Sequence, residues 1–211
     1  MVIKCLLDFG GERVSGVKLG EEVMNQKIPT NNSSVAWFKI ANLIERRERE
    51  KALSVYKLMV HSLPDRAYAL QLEGDILLSF EDIAAACEKY IQAAHLYQDA
   101  KRWLDAVSVY EHINLLDPKN PTAFIFSLSC YAQLGWGKKF SHTLEQVINH
   151  LARNASDEKL LTNAFRDVLE SAKLIENLIF KASLHDALKE VLVKIPKGTA
   201  EKLDPLVKKC F

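Results

Sequence analysis

Apolar residues recur along most of this chain at the three-to-four-residue spacing of amphipathic helices, not at the alternation of strands. The pattern predicts a first helix over Val35–Arg47, with Ser33 or Ser34 as its N-cap. A second runs over Glu50–Ser62 and stops before Pro64, and a third covers Arg66–Leu78. Ser79-Phe80-Glu81-Asp82 then has the form of a capping box, opening a long fourth helix over Glu81–Ala100. The fifth is expected at Trp103–Leu116. Asn120-Pro121 opens the sixth, since proline in the first turn loses no hydrogen bond, and Gly135 and Gly137 end it near Leu134. A seventh spans Lys138–Ala152. An eighth, capped by Asp157, extends toward Phe180, and a ninth covers Ser183–Lys194. Pro196-Lys197-Gly198 precedes a short last helix. Only residues 2–7 read as a strand, so the expected fold class is all-α.

The helices carry a repeating signature. Ala52 and Tyr56 are followed 34 residues later by Ala86 and Tyr90, and Ala106 and Tyr110 are followed 34 later by Phe140 and Leu144. Pro64 has a counterpart in Pro118. A period of this length predicts stacked helix pairs. The register slips once, because Ala86 and Ala106 are 20 residues apart. The helix at 81–100 therefore holds two signatures, Ala86, Tyr90 and Ala93 followed by Ala94 and Tyr97. The expectation is one unbroken helix that serves two hairpins.

These residues resemble the tetratricopeptide (TPR) family, whose helix–turn–helix unit places small residues where helices approach and large ones in the groove beside them. The resemblance covers residues 33–154, where four units agree, the last of them degenerate: Leu128 and Tyr131, then Phe140, Leu144 and Val147. It implies a right-handed superhelix of antiparallel helix pairs, an α-solenoid. Residues 1–32 would then be a partly irregular N-terminal arm and 155–211 a C-terminal helical cap. The stretch Tyr90–Trp103 is also similar to the SNAP family of vesicle-fusion adaptors. One TPR subfamily clamps chaperone carboxylates with Lys, Asn and Arg. Here Trp37, Ala41 and Leu72 stand at the first positions and Glu88 and Gln92 where the cations belong, so no clamp is expected.

Composition narrows the function classes. Lys+Arg total 28 against 27 Asp+Glu, a formal charge of +1, which gives no global attraction for nucleic acid or an anionic membrane. The apolar run Cys5–Leu7 ends at Asp8, too short for a signal-peptide core, and no later stretch is long enough to span a bilayer. Cys5, Cys87, Cys130 and Cys210 are widely separated, as expected of free thiols in a cytoplasmic protein.

Candidate chemistry is sparse. Gly11–Lys18 approaches a phosphate loop, but Val17 separates Gly16 from Lys18 and Leu19 replaces the hydroxyl that would hold Mg²⁺. Asp8-Phe9-Gly10 has no accompanying kinase element. Six histidines form no paired helical metal motif, although His142 and His150 lie eight residues apart. No enzyme, metal or cofactor is expected.

The resemblance instead implies an adaptor that takes a peptide or helix of another protein in a concave groove. The family register puts Ser34, Trp37, Ala41, Tyr68, Gln71, Asp75, His95, Ile125 and Ser129 on that face, with Trp37 and Tyr68 as anchors and Asp75 selecting donors or cations. Two other readings compete: a structural subunit of a larger complex, such as a trafficking adaptor, and a nucleotide-dependent switch using Arg13 and Lys18 of the glycine-rich arm.

Overall fold

The computed structural model of the chain describes residues 32–63 and 65–211. The arm, its phosphate-loop-like stretch, the strand-like residues 2–7 and Pro64 lie outside them. Among the described residues the fold is all-α, with ten α-helices and no strand. They are α1 (Asn32–Glu45), α2 (Arg49–Met59, continued by a 3-10 turn over Val60–Ser62), α3 (Arg66–Ser79), α4 (Ile83–Asp99), α5 (Trp103–Leu116), α6 (Pro121–Gln133), α7 (Gly137–Arg153), α8 (Glu158–Lys173), α9 (Leu178–Lys194) and α10 (Lys197–Cys210). The chain divides into two compact units, the first ending at Lys89 and the second running from Tyr90 to Phe211.

Four helices end in the same way. Arg47, Glu81, Lys101 and Gly135 hold left-handed backbone, with φ of 59°, 65°, 58° and 69°. In each case the next N–H reaches back five residues: Glu48 to the Leu43 carbonyl (2.8 Å), Asp82 to Leu77 (3.2 Å), Arg102 to Tyr97 (2.8 Å) and Trp136 to Tyr131 (2.9 Å). This is the Schellman closure, which satisfies carbonyls that the helix end leaves bare. The four left-handed residues are spaced 34, 20 and 34 apart, the same intervals as the small-residue and aromatic signature. The expected long helix is a single one, α4, and it has such a turn at each end. The compact units divide within it.

In the first unit, Ile40, Leu43 and Ile44 of α1 pack with Ala52, Tyr56 and Met59 of α2 and Leu72 and Ile76 of α3. Ala52 is wholly buried, which lets the helices approach where a larger residue would hold them apart. The Tyr56 hydroxyl donates to the Ala69 carbonyl across this core. Asp65 caps α3 by accepting from the N–H groups of Ala67 (2.8 Å) and Tyr68 (3.3 Å).

In the second unit, α6 packs against α5, α7 and α8. Beyond it, α7 meets α9, and α8 meets α10. Tyr90, Tyr110, Phe140 and Phe165 are fully buried, each contributing on the order of 2 kcal/mol by transfer from water. Asn120 caps α6 through Thr122 N–H (3.0 Å) with Pro121 in the first turn, as the sequence indicates.

Several expected boundaries are corrected. Ser79 does not cap α4. It ends α3, and its hydroxyl donates back to the Asp75 carbonyl (2.8 Å). The cap is Asp82, which accepts from Ala85 N–H at 3.2 Å. Helix α1 starts at Asn32 and ends at Glu45, so it begins before Ser33 and Ser34. The eighth helix stops at Lys173, and Asn177 starts a new one by accepting from Ile179 N–H at 2.9 Å. The last helix is not short. It runs from Lys197 to Cys210 and carries Pro205 within it.

Candidate binding face

Six of the nine expected site residues belong to the first unit. Ser34 sits in the first turn of α1, with its side chain outside the described set. Trp37 is half-buried and packs against the α1–α2–α3 core, so much of its ring is committed to the fold. Ala41 is exposed and lines an open hollow of about 570 Å³ together with Phe38, Asn42, Ile44, Glu45, Arg47 and Ser79. Phe38 stands at this hollow 70% exposed, a large apolar surface for one side chain to leave in water. The register reading placed the anchor at Trp37 and passed over its neighbour. Adjacent positions point about 100° apart around a helix, and here Trp37 takes the core side while Phe38 takes the solvent side.

On α3, Tyr68, Gln71 and Asp75 follow one another at the i, i+3, i+7 spacing of a single helix stripe. Tyr68 is 45% exposed and Gln71 and Asp75 are half-buried. The first unit thus offers exposed aromatic surface on both α1 and α3.

The three remaining positions lie in the second unit, and two of them are not surface. Ile125 and Ser129 have no exposed area. Ser129 is covered from α4, where Gln98 Nε2 donates to its hydroxyl at 2.9 Å. The Ile125 carbonyl accepts from the Ser171 hydroxyl of α8 at 3.0 Å. These are helix-to-helix packing positions, and the expectation that they face a partner is corrected. His95 is half-buried, edge-on to Phe126 with ring centroids 4.6 Å apart. Burial holds its pKa below the ordinary histidine value, against the opposing pull of the Gln98 hydrogen bond and of Asp99 and Asp167. Asp167, on α8, is raised by burial, while Arg166 and then His95 pull it down.

Around His95 the sequence reading missed a buried polar network. Gln98 is 4% exposed. Its Nε2 serves Ser129, Cys130 Sγ (3.2 Å) and the Phe126 carbonyl (3.4 Å), and its Oε1 accepts from the Tyr110 hydroxyl at 2.7 Å. Burial raises the Tyr110 hydroxyl far above its usual range, and it raises the Cys130 thiol to about 11. Both groups stay protonated at neutral pH. Cys130 is therefore a poor nucleophile, and through Gln98 the network ties α4 to Tyr110 of α5 and Ser129 of α6.

Among the described residues no group of three or more His, Cys, Asp or Glu is placed to hold a metal ion. Within the same limits, no helix is long and apolar enough to cross a membrane. Cys130 and Cys210 are in no disulfide. No protein-family model matches the chain, and no curated protein matches it.

Proposed function

We propose that the protein is a TPR-like α-solenoid adaptor whose partner-binding face lies on α1 and α3 of the first unit. The observation that carries the reading is the hollow on α1, floored by Ala41 and Ile44 and edged by the largely exposed Phe38. An apolar side chain from a peptide or helix fits such a site, and exposed aromatics commonly supply the anchoring energy. Glu45 and Arg47 at its edge provide one charge of each sign for the flanks of the bound segment.

Two features support the solenoid. Four Schellman turns recur at the intervals of the sequence repeat, and a fixed repeat is what stacked helix pairs require. The packing of α6 on α8, α7 on α9 and α8 on α10 follows the next-but-one order of stacked hairpins. On this reading the C-terminal helices continue the stack. The cytoplasmic location expected from the sequence goes with the same proposal.

Site-specific photo-crosslinking tests the assignment. A photoreactive residue at position 38 or 68 is expected to capture a single partner species in cell extract. The same residue at Leu115, which is also exposed, is expected to capture none of it. Equal capture from all three positions would remove the site from α1 and α3.

A further inference from the structure

A second hollow, of about 280 Å³, opens in the second unit between the start of α6 and the C-terminal half of α7. Its charged lining is of one sign. Lys119 enters from the α5–α6 turn, and His150 and Arg153 from α7. Gln146 and Asn149 add two side-chain amides, while Phe124 and Val147 give it apolar walls. No carboxylate lines it among the described residues. Asp117 and Glu145 are next to lining residues in the chain but are not part of its walls. The acids that follow at the start of α8 are engaged elsewhere, Asp157 by the Leu160 N–H and Glu158 by Lys202.

Lys119 and Arg153 are exposed, and neither has an ion-pair partner among the described residues. Two permanent cations therefore face one cavity with no anion of this chain between them. Arg153 is near enough to His150 to hold its imidazole below the ordinary pKa, after the larger effect of burial. Asn154 Nδ2 meets His150 Nε2 at 3.3 Å. With that nitrogen accepting, the imidazole carries its proton on Nδ1 and has one N–H to donate. The start of α6 adds little of its own, since Pro121 has no N–H and the Thr122 N–H is held by Asn120. The positive character of the cavity comes from its side chains.

We propose that this cavity binds a phosphate monoester, with Arg153 and Lys119 holding its oxygens and Gln146, Asn149 and His150 donating to those that remain. The charge count selects it. A monoester carries about two negative charges at neutral pH and three acceptor oxygens, which match two fixed cations and a set of neutral donors. A carboxylate or a phosphodiester brings a single charge and leaves one cation unanswered. Arginine suits the role because its planar fork holds two oxygens at once. The ester belongs either to a phosphorylated side chain of another protein or to a free small molecule, and the exposed Lys119 and Arg153 leave the mouth open to both. The inference does not depend on the site assigned to α1 and α3.

Amide chemical-shift mapping of the full chain at about pH 7.5, where the monoester is doubly charged, tests it. The probes are phenyl phosphate, a short uncharged peptide carrying one phosphoserine, the same peptide unphosphorylated, and acetate. Saturable shifts in residues 118–124 and 146–153 are expected with a phosphorylated probe below about 5 mM, and none with the bare peptide. Arg153→Gln should weaken binding about tenfold and Lys119→Gln about fivefold, as loss of a charge-assisted hydrogen bond does. Lys57→Gln, at an exposed cation of the first unit, should leave it unchanged. All three positions are at the surface, and circular dichroism checks the fold of each variant. Tighter binding of the phosphopeptide than of phenyl phosphate supports the proposal with a protein as the source, and equal or weaker binding supports it with a free ester. The absence of saturable shifts up to about 5 mM of both phosphorylated probes would overturn it. So would acetate or the bare peptide binding as tightly as the monoester, or an affinity unchanged in the Arg153 and Lys119 variants.

Discussion

Arg47 and Glu81 occupy the same turn position in successive helix pairs, 34 residues apart, both with left-handed backbone, and their side chains meet at 3.2 Å. Arg49 and Asp82 form a second bridge beside them at 2.5 Å. The contact is solvated, with the two side chains 64% and 80% exposed, so its net worth is a few tenths of a kcal/mol at most. The backbone conformation matters more. A non-glycine residue in the left-handed region carries a cost on the order of 1 kcal/mol, and three of the four turns bear one.

Replacing those residues with glycine is therefore expected to stabilise the protein. Lys101→Gly should gain about 0.5 kcal/mol after the greater freedom of glycine in the unfolded chain is deducted. Glu81→Gly should gain less, because it also gives up the Arg47 bridge. Gly135→Ala should lose about 1 kcal/mol. No neighbouring atom lies within 4 Å of the added methyl, so the loss comes from backbone strain alone. Chemical denaturation midpoints decide the matter, and a Gly135→Ala variant as stable as the parent would contradict the assigned turn.

The Gln98 network predicts coupled energetics. Gln98→Leu takes away the acceptor of the Tyr110 hydroxyl, while the Ser129 hydroxyl loses a donor but still donates to the Phe126 carbonyl at 2.9 Å, and the variant is expected to cost about 1–3 kcal/mol. Tyr110→Phe leaves Gln98 Oε1 without its donor and should cost about 1–2 kcal/mol. Because the two share one hydrogen bond, the double variant should cost less than the sum. Additive losses in urea unfolding would show that the residues act separately.

Stability should fall as the solution is acidified through the histidine range. Burial favours neutral His95 in the folded state, so the unfolded chain takes up a proton first as pH drops below the ordinary 6.5. The loss grows until the folded-state pKa is passed and is absent above the ordinary value. His150 is lowered in the same direction by burial and then by Arg153. Asp167, raised by burial, has the opposite sign and a lower range: what it contributes is present in acid and lost as pH rises from 3.8 through its folded value. Urea midpoints between pH 7.5 and 5.5 should slope less steeply for His95→Phe than for the parent. An identical slope would remove His95 as a source.

Phe165 tests how firmly α8 is built into the second unit. It is wholly buried, and Phe165→Ala is expected to cost about 3–5 kcal/mol. Faster amide hydrogen exchange should follow in both α8 and α6, since the Ser171 hydroxyl holds the Ile125 carbonyl. Faster exchange in α8 alone would mean that α6 does not rely on it.

Much of the fold was legible because local chemistry and burial agree. Asn120-Pro121 and Asp157 mark helix starts on their own, and Ala52, Ala86 and Ala106, each wholly buried, record helix approaches. The ambiguous breaks were those where two side chains competed. Ser79 and Asp82 both suit a cap, and only the left-handed Glu81 decides between them by ending α3 first. The break at 174–177 was hidden because Leu174 and Ile175 continue the apolar run across it. The face was less legible than the fold. A repeat register gives a residue's position in its helix but not what neighbouring helices cover, so Ile125 and Ser129 looked equivalent to Trp37 and Ala41.

The central claim is that a partner segment seats on α1 at Phe38 and Ala41. Selection of helical peptides from a displayed library on the full chain, followed by amide chemical-shift mapping of the best binder, tests it most directly. The largest shifts are expected on α1 between Phe38 and Glu45 and near Ser79, with binding weakened at least tenfold, about 1.4 kcal/mol or more, by Phe38→Glu. Shifts confined to the second unit, or affinity unchanged by Phe38→Glu, would contradict it.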